Sequence, residues 1–162
     1  MIGMEQIELK TFEKSLKVRT LKKDDYDAVV SLQRKCFPGM KAWSKLQFES
    51  HLSIFPEGQI CAEYNAKIVA SSSSLVLDFN LYGEHHGWDE VSDHGMIRNH
   101  DPKGNTLYGI EIMVDPDYRG LKLARRLYDA RKQLAKQLNL MRIILGGRIP
   151  GYVKYSDKMS AR

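Results

Sequence analysis

From Leu107 to Val114 the chain is apolar, aromatic or β-branched almost without a break, and no polar face separates from an apolar one, which is the pattern of a strand buried on both sides. Asp115-Pro116 ends it, because proline has no amide hydrogen to give to a sheet ladder. After Gly120 the period changes. Leu123, Leu127, Ala130, Leu134 and Leu138 recur every three or four residues with arginines and lysines between them, which predicts an amphipathic helix. The first turn of that helix is basic, contains a glycine and follows the strand directly. Free backbone amides, the positive end of the helix dipole, Arg119 and Lys122 can therefore converge on one spot that suits a phosphate. An ordinary strand-turn-helix unit with a solvated basic face would give the same pattern.

The same reasoning places the other elements around this unit. Residues 1–14 are expected to form a loosely ordered arm. Leu16 to Leu21 alternates as a half-buried strand, and Asp24 or Asp25 opens a helix to about Cys36 with Tyr26, Val29, Val30 and Gln33 on one side. Phe37-Pro38-Gly39 stops that helix, and a shorter one runs from Ser44 to about Leu52 with Leu46 and Phe48 as apolar anchors. Gln59 to Tyr64 and Lys67 to Phe79 read as a hairpin turning at Asn65-Ala66, with Ser71 to Ser74 as small residues inside its second strand. Asn80 to Asn105 is irregular, with a short helix around Trp88 to Ser92. Beyond the basic helix, Met141 to Leu145 is a second buried strand ending in Gly146-Gly147, followed by a helix holding Tyr152 and Tyr155.

Composition narrows the function classes. At 162 residues with 43% hydrophobic and 28% charged residues, the chain suits one soluble domain with a core of its own. Its apolar runs are too short to span a bilayer and its first residues do not read as a signal peptide, so no membrane partner is expected. Cys36 and Cys61 lack metal or redox spacing and read as buried thiols of a reducing cytoplasm. The net charge of +5 permits an anionic ligand, and much of the excess falls on Lys122, Arg125, Arg126, Arg131, Lys132 and Lys136 of one predicted helix. Nucleic acid would use such a stripe too, but few aromatics accompany it and no zinc-finger or RNP pattern is present, so nucleic acid is not the expected partner. His85, His86, His94 and His100 have no spacing that identifies a metal site, and none is expected. Serine-hydrolase, P-loop and H-E-x-x-H patterns are missing as well.

The stretch VDPDYRGLKLA resembles the signature of GNAT-type N-acetyltransferases, a strand ending V-x-P followed by Q/R-x-x-G-x-G/A at a helix start. Val114 matches the strand end, Arg119 the first motif position and Ala124 the last, while Lys122 stands where the family has its middle glycine. The resemblance implies an α/β fold with a mixed, mostly antiparallel central sheet flanked by helices, and acetyl transfer from acetyl-coenzyme A to a small-molecule or peptide amine. It places the pyrophosphate on Arg119, Gly120, Leu121, Lys122, Leu123 and Ala124. It implies that backbone groups of Ile112, Met113 and Val114 hold the pantetheine arm and polarise the carbonyl. In the family two more strands usually follow the last helix. Together with KVRTLKKDDYDAVVSLQRKCFP and IRNHDPKGNTLYGIEIMVDPDYRG, this resembles the amino-terminal domain of bifunctional proteins that add a carbon-nitrogen hydrolase domain, so a domain over 15–162 within a longer chain is expected.

Acyl transfer to an amine needs a base for the amine, polarisation of the carbonyl and a proton for the leaving thiolate. Glu111 is the candidate base, because burial in an apolar strand would raise its pKa. A structural ion pair with a helix residue such as Arg125 is the alternative. Alternation places Glu111 on one face with Gly109 and Met113. The resemblance assigns the thiolate's proton to Tyr155, with Tyr152 one helical turn earlier as the alternative. The insertion at 80–105 is where the family builds its acceptor pocket. A non-catalytic acetyl-coenzyme A-binding regulatory module and a basic interaction module are the rival readings.

Overall fold

The computed structural model describes residues 9–146, together with 154 and 156–158. Among the described residues, five strands form one sheet in the order β1-β2-β3-β4-β5. They are β1 (Leu16–Thr20), β2 (Ile60–Tyr64), β3 (Lys67–Leu77), β4 (Thr106–Val114) and β5 (Arg142–Leu145). The first four pair antiparallel and β5 joins β4 in parallel, as expected of a mixed, mostly antiparallel sheet. Asn65 and Ala66 make the β2-β3 turn with φ of 48° and 61°, the left-handed pair that matches strand twist in a tight hairpin. Ser71 to Ser74 are buried and continue β3.

Helices α1 (Leu9–Ser15), α2 (Tyr26–Cys36), α3 (Lys45–Ile54), α4 (Trp88–Ser92) and α5 (Leu123–Gln137) complete the described chain. Ser44 and Gln47 cap α3 reciprocally: Gln47 N–H donates to Ser44 Oγ at 3.1 Å and Ser44 N–H to Gln47 Oε1 at 2.9 Å. Phe48 anchors α3 in the core, but Leu46 is 67% exposed and anchors nothing. Val29, Leu32, Trp43 and Phe48 cluster with strand residues on the α2 side. Leu123 and Leu127 of α5 pack with Ile60, Ala62 and Val69 in a second cluster. That cluster includes Phe12, so the expected loose arm is corrected from Leu9 onward: this stretch is helical, Phe12 is fully buried, and Glu13 pairs with Arg126 at 3.0 Å.

Two further expectations change. β5 was read as a buried strand, yet its residues are half-buried or exposed and Met141 before it is exposed. Cys61 is buried as expected, whereas Cys36 is half-buried and its Sγ donates to Val114 O at 3.2 Å. No helix of the described residues is long and apolar enough to cross a membrane.

Candidate active site

β4 and β5 pair from Thr106↔Arg142 to Gly109↔Leu145, after which β4 runs on to Val114 beyond the end of β5. Glu111 to Val114 thus have no β5 partner among the described residues, and β4 carries an irregularity just before them. Ser73 faces Glu111 while Ser74 faces Gly109, so Ile110 is an extra, bulged residue. The bulge breaks the alternation expected from the sequence. Glu111 and Met113 share a face, but Gly109 looks the other way, toward α5.

On the α2 side, Glu111 is half-buried with its carboxyl end held between two neutral donors. Gln33 Nε2 donates to Oε2 at 2.6 Å and Trp43 Nε1 to Oε1 at 3.0 Å. Gln33 is itself fixed, since its Oε1 accepts from Trp43 N–H at 2.7 Å. Burial pushes the Glu111 carboxyl up to about 7, against the downward pull of those two donors and of Arg131. The alternative ion pair with Arg125 does not form: Arg125 is exposed and Glu111 bonds Gln33 and Trp43. Trp88 comes over from α4, stacks on Trp43 with ring centroids 5.8 Å apart and donates from Nε1 to Ile110 O at 3.0 Å. The insertion thus closes over the bulge.

On the α5 side lies Arg131, expected on a solvated basic face but fully buried. Its Nη2 donates to Ser73 O at 2.9 Å and to Glu111 O at 2.7 Å, pinning the bulge from below. Gly109 makes this possible. A Cβ there would overlap Leu145 Cδ2 and lie 2.7 Å from Arg131 Nη1. Gly109→Ala is accordingly expected to destabilise the protein by about 1–3 kcal/mol, read as a lowered urea midpoint at unchanged slope. A midpoint equal to the native one would mean that Arg131 moves aside freely.

The turn after β4 is held by Asp115. Burial alone would raise its carboxyl, but Lys35 at 2.6 Å, the Asp117 amide at 3.0 Å and Lys67 at 3.2 Å keep it below its usual range. Tyr118 packs near Tyr64 and Phe12 and lies under Lys67. The turn therefore delivers Arg119 and Gly120 in a fixed place. Lys122 adopts φ 59°, ψ 23°, a left-handed conformation that glycine takes without steric cost, and its side chain makes no cap bond to the helix. The Arg126 N–H donates to Lys122 O at 3.1 Å and closes the first turn, so the amides of Leu123, Ala124 and Arg125 have no partner within the helix. A Cβ on Gly120 would meet nothing within 4 Å. Unpaired amides, open space and a basic residue on either side fit an anionic group.

Ile112, Met113 and Val114 lie between this turn and Glu111, as the strand order requires. Tyr152 and Tyr155 lie outside the described residues. Gln33, Trp43, Trp88 and Arg131 were not singled out from the sequence for this site. A glutamine among Tyr26, Val29 and Val30 was a usable signal for the first. Among the described residues no group of three or more His, Cys, Asp or Glu side chains could hold a metal ion. His86 instead lies 2.7 Å from the Tyr108 hydroxyl, and His100 Nδ1 accepts from Val76 N–H at 3.0 Å. The basic helix is also less of a free stripe than its sequence suggested, with Arg131 buried and Arg126 paired.

Comparison with known proteins gives a consistent picture. The acetyltransferase (GNAT) family profile matches residues 26–151. The probable hydrolase YhcX of Bacillus subtilis (strain 168) is 49% identical over 158 residues, covering 98% of this chain and 31% of YhcX. The uncharacterized N-acetyltransferase YkwB of the same organism is 38% identical over 151 residues, covering 91% of this chain and 67% of YkwB. The chain thus spans about a third of the first relative and two thirds of the second. Among solved structures, the GphF GNAT-like decarboxylase in complex with isobutyryl-CoA has a TM-score of 0.71 at 20% identity, covering 88% of this chain and 71% of that one. The loading GNATL domain of CurA from Lyngbya majuscula has a TM-score of 0.75 at 19% identity, covering 90% and 70%. At these identities the structural likeness is one of fold.

Proposed function

Because this chain belongs to the acetyltransferase (GNAT) family, we propose that it transfers an acetyl group from acetyl-coenzyme A to an amine, with Glu111 as the base. The observation that carries this reading is the Glu111 carboxyl itself, raised to about 7 and held by two neutral donors where β4 runs past its last described pairing with β5. A carboxylate with that pKa can take a proton from an ammonium near neutral pH, whereas one locked in an ion pair would stay too weak a base.

Each remaining requirement falls to a named part of the chain. The turn Arg119 to Ala124 receives the pyrophosphate on its amides, with Arg119 and Lys122 supplying charge. Backbone groups of Ile112, Met113 and Val114 hold the pantetheine and polarise the thioester carbonyl, in a strand whose bulge is fixed by Trp88 and Arg131. Gln33 and Trp43 position the base. Tyr155, or Tyr152, returns a proton to the thiolate, an assignment that rests on family resemblance alone. Trp88, 43% exposed beside the bulge, lies where an acceptor amine would approach. The partial coverage of YhcX supports a companion proposal, that this domain works beside a hydrolase domain, which the family resemblance makes of the carbon-nitrogen type; a cytoplasmic location is proposed with it.

Calorimetric titration with acetyl-coenzyme A, run on the native chain and on Arg119→Ala, tests the reading. Saturable binding, weakened about tenfold or more in the variant, is the expected result, since hydrogen bonds to charged groups contribute roughly 1.5–3 kcal/mol. Equal binding by both would move the phosphates off this turn. Absence of binding at millimolar ligand would sink the proposal.

A further inference from the structure

Two carboxylates stand beside the turn that the proposed function gives to an anion. Asp115 and Asp117 precede Arg119 by four and two residues, and either one, left unpaired, would repel a pyrophosphate or draw the Arg119 guanidinium into an ion pair. Asp115 is buried. Asp117 is 63% exposed and close enough along the chain to compete for Arg119.

One side chain engages both. The Lys35 ammonium donates to Asp115 Oδ1 at 2.6 Å and to Asp117 Oδ2 at 2.5 Å. These carboxylates, Asp115 first, hold it well above the usual lysine range, so it stays charged. Asp115 has a second cation in Lys67 at 3.2 Å, but Lys35 is the one ion-pair partner of Asp117 among the described residues. Support of the buried Asp115 therefore explains only the first of the two Lys35 bonds. The last turn of α2 brings Lys35 to this place, because the next residue, Cys36, donates its thiol to Val114 O at 3.2 Å. Arg119 lies nearby. Burial pushes the Cys36 thiol up and Arg119 pulls it back down, so the guanidinium is within electrostatic reach of this helix end. Yet Arg119 is exposed and makes no ion pair among the described residues. The cation that is to meet the phosphates is left free, while the two acids before it are taken.

We propose that Lys35 is a positioning residue for the cofactor: by engaging Asp115 and Asp117 together it cancels their charge beside the phosphate turn and keeps Arg119 available to the anion. This rests on the acyl-transfer reading and deepens it. Lys35 acts through Arg119 and takes no part in bond making. The harm done by losing Lys35 then comes from an Asp117 set loose, and removing that carboxylate as well should undo it.

Calorimetry with acetyl-coenzyme A on the native chain and three variants tests this. Lys35→Met is expected to bind at least about tenfold more weakly than native. Adding Asp117→Asn to it is expected to bring affinity back to within about threefold of native, a recovery that mere loss of support for the turn would not show. Asp117→Asn alone is expected to bind at least as tightly as native, because it leaves Lys35 with charge to spare. A Lys35→Met variant equal to native, or a double variant as weak as the single one, overturns the inference. Weaker binding by Asp117→Asn alone also overturns it, even if Lys35→Met fails to fold. In each of these cases binding by the native chain, lost in Arg119→Ala, leaves the acyl-transfer reading standing. Failure of the native chain to bind overturns both.

Discussion

Replacing Glu111 with glutamine is expected to lower acyl transfer about a hundred- to ten-thousandfold, the usual contribution of a positioned general base, while leaving thioester affinity within about twofold. The substitution keeps the shape of the side chain and removes the proton-accepting oxygen. In the native protein the rate should rise with pH through about 7 and level off above it, because only the ionised carboxyl accepts a proton. Stability should move the opposite way. The carboxyl ionises near 4.5 in the unfolded chain and near 7 when folded, so across that window the unfolded state gives up its proton first. Folding stability therefore falls as pH rises from about 4.5 to about 7, by roughly 3 kcal/mol at most, and the glutamine variant loses that dependence. Thiol-release kinetics and urea unfolding at pH 5 and pH 8 check the two halves separately. A variant within about threefold of native activity would hand the base role to an ordered water.

Phe12→Ala is expected to cost about 3–5 kcal/mol, the usual range for removing a fully buried phenylalanine. The ring lies 4.6 Å from the Tyr64 ring and 6.4 Å from that of Tyr118, and packs in the cluster that holds Leu123 and Leu127. It therefore supports both the start of α5 and the turn before it, so the loss should appear as a lower melting temperature and as weaker thioester binding in the same variant. A stability change below about 1 kcal/mol would mean that α1 does not stay docked in solution.

Much of the site was legible because the strand-turn-helix unit follows local rules. A switch of period from a buried strand to an amphipathic helix, punctuated by Asp115-Pro116, located β4, the turn and α5 within a few residues. Glu111 stood out because an acid in an apolar strand needs a reason. What stayed hidden depends on tertiary packing. The bulge at Ile110 adds one residue without changing composition, so alternation put Gly109 on the wrong face. Arg131 has the same spacing as its solvated neighbours and is distinguished only by what α5 rests on. The glycine was the available clue, since a glycine inside a strand often marks close approach by another group. The helix around Phe12 was concealed by alternating charged and apolar residues, which read equally well as an arm. Lys122 departs from the family pattern in side chain, yet its backbone is left-handed, a conformation open to glycine.

The left-handed start of α5 has a consequence for the lifetime of the protein. A lysine held at φ 59° is strained by roughly 1–2 kcal/mol, and the amides behind it have no side-chain cap, so this end of the helix is stable only in part by itself. An anion seated there completes it, and mass action then ties folding to supply: free ligand at a hundred times its dissociation constant adds about 2.7 kcal/mol. If the proposed cofactor is that anion, a cell poor in it would hold more of the chain unfolded and expose it to proteases, so the abundance of the protein would follow the supply of the cofactor.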